Sequence, residues 1–422
     1  MNIYLIFVLA ILIGFTLFDA WIHWLNLKAI SPEIPAEFAD TYNAETYAKS
    51  QRYLKDSTAF EIAAGLIKTT VSVAFILLGG FAFIHRLSVS GTDNLILQGL
   101  IFAGLLILIS TLFGLPFKLY DTFVLEEKYG FNKTTPKTFA TDTAKSLLLT
   151  VLIGGPIFAA IVWFFQSAGP HAWWITWAVL TLIQLLLLYI APVYILPLFN
   201  KFEPLEDGDL RTEIESYAQK EGFEVQGLFK IDGSKRSTRA NAYFTGFGKT
   251  RRIALFDTLI ANHATPELVA VLAHEVGHAK CKHIHKQLVA GILSTGLMFY
   301  LLSLFIGQTG MYQAFGLEVD SQNLPLYAGL IFFGFLYSPI ASLIGIFTNI
   351  LSRKFEFEAD AFAARTTGGA EELIAALKRL SVDNLSNLTP HPWLVFLEYS
   401  HPPVLERIRV MREGSISDPA AP

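Results

Sequence analysis

Residues 95–117 read LILQGLIFAGLLILISTLFGLPF, twenty-three positions without one charged side chain. As a helix rising 1.5 Å per residue this stretch reaches about 34 Å, enough to cross a hydrocarbon core of about 30 Å. Working outward, six further apolar segments reach or approach that length: 3–25, 67–84, 147–166, 172–199, 288–306 and 324–351. The second and sixth of the seven are short. Composition agrees, with 53% hydrophobic and only 16% charged residues and a mean hydropathy of +0.45. Soluble chains of this size carry about 25% charged residues. The deficit is concentrated in the apolar segments, as in a polytopic membrane protein with a water-exposed part.

The first segment has two readings, a retained anchor or a cleaved signal peptide. It lacks a basic leader and a small-x-small cleavage site, and it ends in Asp19, Trp21, His23 and Trp24, which favours the anchor. Lysine and arginine then test the span count. They number 4 in residues 26–60, 5 in 118–146, 13 in 200–287 and 8 in 352–422, while the alternate connections hold only Arg86. Under the positive-inside rule this alternation predicts seven spans, an N-terminus outside and the large hydrophilic segments in the cytoplasm. One cysteine, Cys281, excludes an intrachain disulfide and is compatible with a reducing compartment. No basic tail or motif for nucleic acid is present, and the lipid bilayer is the expected surrounding partner. Pro156, Pro192, Pro197, Pro339, Gln98, Gln184 and Lys68 fall in the spans. They read equally as kinks with a snorkelling lysine, or as the lining of a water-filled cavity.

The expected division is residues 1–199 for spans one to five, 200–287 for a cytoplasmic insertion, 288–351 for spans six and seven, and 352–422 for a cytoplasmic helical region. Within the insertion, Asp209 to Glu221 reads as a helix closed by Gly222. Val225 to Ile231, Arg239 to Phe247 and Arg252 to Phe256 read as short strands between Gly-rich turns. A helix follows from about Pro266, with Thr265 as N-cap and Pro266 at N1. Its apolar face is continuous, so it should be buried.

That helix carries His274-Glu275-Val276-Gly277-His278. Two histidines four apart share one helical face and can share one metal ion, with Glu275 a step round, in reach of a metal-bound water. Zinc lowers the pKa of such a water to about 7, and a carboxylate can take its proton as it attacks a peptide carbonyl. The five-residue pattern also arises by chance. Here it lies on a strongly apolar helix where two imidazoles and a carboxylate are costly without a purpose. Gly277 allows close backbone approach on the opposite side, and the preceding hairpin offers an edge strand to a peptide.

A catalytic zinc needs a third protein ligand and an open position. The metzincin extension fails, since its glycine and third histidine positions hold Cys281 and Ile284. His285 lies about 10 Å along the axis from His278 if the helix continues. His283 and His285 therefore read as surface residues of the basic run Lys280 to Lys286, and Cys281 as a poor ligand for a hydrolytic site. A better third ligand comes from the run Ser352 to Ala363, where Glu356 and Asp360 are four apart on one face. One acid can bind metal and the other can orient an imidazole. Glu358 points elsewhere and suits an acidic surface stripe.

Glu127-Lys128-Tyr129-Gly130-Phe131-Asn132, Asn241-Ala242-Tyr243-Phe244, the His274–His278 motif, the Phe355–Asp360 segment and Tyr399-Ser400-His401-Pro402-Pro403 occur in order through the chain. Together they resemble the type I CAAX prenyl protease family, integral-membrane zinc metalloproteases of the gluzincin kind. A bacterial heat-shock membrane protease shares the metal motif but is shorter, with fewer spans. The resemblance implies a mainly α fold, seven transmembrane helices around a large intramembrane chamber, and a cytoplasmic α+β domain with a small sheet. It assigns one Zn2+ to His274, His278 and Glu356, with Glu275 as general base and Asp360 supporting His274. Asn241 would contact the substrate backbone, added as a strand. His401 and Arg407 would stabilise the oxyanion; taken without the family, His401 reads as a helix cap or surface residue.

The eukaryotic members of the family trim prenylated C-terminal CAAX peptides. The compact chain suggests a prokaryotic source, and bacteria generally lack prenylation, so a bacterial inner-membrane enzyme with peptide or membrane-protein substrates, prenylated or not, is expected. The competing class is a zinc-binding transporter or channel without proteolytic activity. Transporters usually carry inverted repeats with paired broken helices, and none is evident.

Overall fold

The computed structural model describes residues 2–223, 227–245 and 252–414. Among them, seven helical stretches are long and apolar enough to span a bilayer: Ile3–Lys28, Ala44–Leu77, Leu95–Glu126, Pro136–Ser167, Gly169–Leu198, His283–Phe305 and Leu326–Thr367. Helix α1 is Ile3–Lys28, α2 Ala44–Leu77, α3 Gly80–Ser90 and α4 Leu95–Tyr120. The fourth and fifth spans are each interrupted by a π-turn. One joins α5 (Pro136–Leu149) to α6 (Gly155–Ser167), and the other, Ala191–Ile195, extends α7 (Ala172–Ile190). These sit at Pro156 and Pro192, whose rings lack an N–H and crowd the carbonyl four residues back, and the wider turn relieves that clash.

The second span differs from expectation. Asn43 caps α2 by accepting the Thr46 N–H, and the helix runs 34 residues to Leu77. Gly79 then turns the chain with φ +75°, which glycine adopts without a Cβ penalty, and α3 begins a new direction. The expected segment 67–84 straddles that turn. Its apolarity belongs to two helices.

One buried core gathers the start of α1, the end of α2, all of α3, the start of α4 and the end of α6. It also takes in the ends of α11 (His283–Phe305), α12 (Thr309–Ala314) and the start of α13 (Leu326–Thr367). Phe315 stacks on Phe332 at 4.0 Å, and Phe81 meets both edge-on. Beyond this plug the spans bury little against one another, as in a cage; α5 contributes no buried residue.

The far end is closed by a small domain. Its four-stranded sheet has the order β1-β2-β4-β3, from β1 (Phe202–Pro204), β2 (Gly227–Ile231), β3 (Ala242–Thr245) and β4 (Arg252–Phe256). β2 and β4 are parallel, while β3 runs antiparallel to β4 and forms an edge. β1 was not anticipated, residues 239–241 precede β3 as an irregular segment, and the expected strand positions 225–226 and 246–247 lie outside the described residues. Around the sheet pack α8 (Asp209–Lys220), α9 (Asp257–Asn262), α10 (Thr265–Lys280) and α14 (Glu371–Asp383), while α15 (Pro392–Glu398) and α16 (Val404–Glu413) lie against α13. The N-cap of α10 is Ala264 rather than Thr265, and its N–H donates to Glu267 Oε2. Helix α13 is continuous for 42 residues, so the seventh span and the segment carrying Glu356 and Asp360 form one element.

Candidate metal centre

The site lies where α10 packs along α13. A Cβ on Gly277 would come within 3.0 Å of the Ala359 backbone and 3.1 Å of Phe362 Cβ, so glycine permits this approach, as anticipated. Ala273, Val276, Ala359 and Ala363 fill the seam with small, fully buried side chains. The close crossing brings residues 82 positions apart in sequence within bonding reach.

His278 Nε2 lies 3.1 Å from His274 Nε2 and 3.2 Å from Glu356 Oε1, and His274 Nε2 lies 3.4 Å from Glu356 Oε2. Ligands about 2.0–2.1 Å from a tetrahedral zinc stand about 3.3 Å apart, so the triangle has the size that an ion requires. Glu356 Oε2 is buried and lacks a hydrogen-bond donor among the described residues. An unbonded carboxylate oxygen beside two imidazole nitrogens is disposed to take a metal ion. The donor set, two imidazoles and a carboxylate, suits zinc.

Behind the triangle, Asp360 is fully buried and lies 2.8 Å from His274 Nδ1. A carboxylate there accepts from Nδ1–H and leaves the Nε2 lone pair directed at the centre. Arg407, buried on α16, donates to both Asp360 oxygens, from Nε at 2.8 Å and Nη2 at 2.6 Å, and its Nη1 lies 3.4 Å from Glu356 Oε2. Burial alone would lower the His274 pKa, but Asp360 and Glu356 outweigh it and push the ring up to about 9 in the metal-free site. The same two carboxylates keep Arg407 charged against its desolvation.

Glu275, Asn241 and His401 all line one cleft of about 880 Å³ with the triangle. His401 Nε2 is 3.4 Å from Glu356 Oε1, its Nδ1 is 2.9 Å from Ser400 Oγ, and its side chain is 65% exposed to the cleft. Asn241 immediately precedes the edge strand: its carbonyl accepts from Phe256 N–H and its Oδ1 from Ala242 N–H. Seven of the eight singled-out residues line this opening, and the fully buried Asp360 stands behind them. Arg407 reaches the cleft from behind the triangle, with Nε and Nη2 bonded to Asp360.

Two residues were misread. Helix α10 does not continue into the basic run; it ends at Cys281, and Lys282 turns with φ +59°. That left-handed residue swings His283 back, so His283 is 1% exposed rather than superficial. Glu358, expected on a surface stripe, is buried at 7% and lies 2.9 Å from His283 Nε2. His285 is exposed, as expected. No sequence signal marks a lysine as a left-handed turn residue.

The Glu127–Asn132 run clasps the approach to the edge strand. Asn132 bridges Ser237, Thr238 N–H donates to the Phe131 carbonyl, and Arg239 lies 4.2 Å over the Phe131 ring. Arg239 also donates to Glu126 at 3.0 Å, which accepts from Tyr53 of α2 at 2.6 Å.

Comparison with known proteins bears on this arrangement. Residues 23–201 match the CAAX prenyl protease N-terminal domain of five membrane helices, and residues 204–415 match peptidase family M48. The chain is 36% identical to CAAX prenyl protease 1 homolog of Arabidopsis thaliana, covering 96% of both sequences. It is 35% identical to CAAX prenyl protease 1 of Saccharomyces cerevisiae, over 93% of this chain and 92% of that one. The crystal structure of S. mikatae Ste24p superimposes with a TM-score of 0.92 at 34% identity, over 97% of this chain and 99% of that one. With seven spans, a helix pair bearing a metal-ligand triangle and these relatives along nearly its full length, the chain belongs to peptidase family M48 as a multi-pass membrane metalloprotease of the CAAX prenyl protease type.

Proposed function

We propose that the protein is a zinc endopeptidase in which His274, His278 and Glu356 hold one Zn2+ and Glu275 is the general base. The observation that carries this reading is the 3.1–3.4 Å triangle of two imidazole nitrogens and a carboxylate. When bound, zinc supplies Lewis acidity and lowers the pKa of a coordinated water. The chain's own residues do the rest. Asp360 and Arg407 fix the His274 ring and the Glu356 carboxylate. Glu275, at the cleft wall, takes a proton from the attacking water and returns it to the leaving amine. His401, exposed at the same opening, donates toward the developing oxyanion, and Arg407 acts as a positioning residue behind it. Asn241 and the open edge of β3 align an extended peptide as an added strand.

The relatives' names direct the substrate search to C-terminal CAAX peptides bearing a prenyl group. Length does not separate this chain from those eukaryotic relatives, since coverage is 96% in both directions for the Arabidopsis protein. The lysine- and arginine-rich segments support a metal centre on the cytoplasmic face and an N-terminus outside. In a bacterium that face belongs to the inner membrane, where unprenylated membrane proteins are the expected substrates.

Metal analysis of the purified protein, with cleavage of matched prenylated and unprenylated peptides, tests the reading. Wild type should carry one zinc and cleave. Glu275→Gln should keep the zinc and lose turnover by about 10²–10⁴-fold. A zinc-free wild type, or a Glu275→Gln variant with full turnover, refutes it.

A further inference from the structure

The two histidines of the triangle are supported differently. His274 has a carboxylate directly on its outer nitrogen. For His278 to offer Nε2 to an ion, its Nδ1 must carry the hydrogen and find an acceptor. The group there is another imidazole: His283 Nδ1 lies 3.0 Å from His278 Nδ1. An imidazole nitrogen accepts only when the ring's hydrogen sits on its other nitrogen. That other nitrogen, His283 Nε2, lies 2.9 Å from Glu358 Oε2. A carboxylate can only accept, so it holds the hydrogen on Nε2 and leaves Nδ1 as a lone pair. Each link fixes the next, from Glu358 to His283 to His278.

The surroundings fix the plane of the His283 ring. His283 stacks on Phe355 at 4.1 Å with an interplanar angle of 9°. Lys286 lies 5.0 Å from the centre of the Phe355 ring and 3.9 Å from Glu358, and Lys354 stands 3.8 Å from Glu358, so the buried carboxylate has cations beside it. The left-handed turn at Lys282 is what brings His283 to this place. Glu356 and Glu358 lie two residues apart on α13. One enters the triangle, and the other reaches the same centre through two imidazoles.

We infer that His283 and Glu358 form a positioning relay that fixes the His278 tautomer and ring orientation for metal binding. This rests on the zinc reading above. Outer groups of this kind typically govern metal affinity by about 10–100-fold. The alternative for these atoms is a second cation site, since Cys281, His283 and Glu358 also lie within 4.8 Å of one another.

The test is zinc affinity of the full-length protein, chelated and then titrated against a fluorescent zinc indicator, with thermal unfolding of the chelated proteins as the folding control. His283→Phe keeps the stack on Phe355 but removes the acceptor, and should weaken zinc by about 10–100-fold in the molecules that remain folded. His283→Asn restores an oxygen acceptor near Nδ1 and should recover most of the affinity. Glu358→Gln still accepts but loses the charge, and should fall between. If His283→Phe does not fold, the order of wild type, His283→Asn and Glu358→Gln carries the test. Wild-type affinity in both His283→Phe and Glu358→Gln overturns the relay, as does a second zinc equivalent in wild type that His283→Phe abolishes. Failure of wild type itself to bind zinc refutes the enzyme reading instead.

Discussion

The two ends of α13 are packed by opposite means. Near Phe332 the helix is held in an aromatic plug, where Phe315 stacks on Phe332 and Phe81 and Phe102 meet it edge-on. Some 24 residues later, the same helix presents Glu356 and Asp360 to His274, His278 and Arg407. Both ends are dry. The first is held by area and shape, so its loss is graded; the second is held by paired charges, so removing one partner strands the other. The plug joins the spans, and the charged end holds the candidate ligand atoms together.

Arg407→Ala should separate the ends most sharply. It strands the fully buried Asp360, and removing one partner of a buried pair costs about 3–5 kcal/mol. Zinc retention and peptide cleavage should fall with thermal stability. Phe332→Ala should cost a similar or smaller amount, about 3 kcal/mol by cavity formation, yet leave zinc affinity and turnover per folded molecule unchanged. Equal effects of the two on zinc would mean that the ends are not independent. Gly277→Ala should be milder, costing about 1–3 kcal/mol by overpacking against Ala359, and should weaken zinc by displacing α10 from α13.

The smallest expected effect is on pH dependence. In the metal-free protein the His274 pKa lies at about 9, above its ordinary 6.5. Its contribution to stability is thus complete below pH 6.5 and disappears as pH rises through 9. Thermal unfolding of chelated protein should fall over that window. The zinc-loaded form, whose ring carries no proton to lose at the ligating nitrogen, should not show this slope. A flat profile in the chelated form would break the assignment of Asp360 as the His274 partner.

Much of this was legible from sequence because apolar length and helical spacing are local properties. Six of the seven spans lie close to their expected positions, and Glu356 and Asp360, singled out by their spacing of four, both lie beside His274. The second span slipped because hydropathy follows side chains, not the backbone, and so could not see Gly79 turning between two apolar stretches. His283 and Glu358 were misplaced for a related reason. A basic run suggested solvent, while the left-handed Lys282 and the enclosure of α13 on two sides are tertiary facts. The Glu127–Asn132 run was recognisable only through resemblance, since its role is to hold a segment about a hundred residues away.

That clasp has a mechanical corollary. The three ligands ride on α10 and α13, whereas the edge strand that would align a peptide is tethered, through Ser237 and Arg239, to Asn132, Glu126 and Tyr53 near the ends of α2 and α4. The segment before the edge strand is therefore anchored twice: to α2 and the stretch after α4 on one side, and on the other to β4, whose Ile253 and Leu255 share a core with α10 and α13, so the peptide slot and the candidate ligand atoms are built on one continuous support.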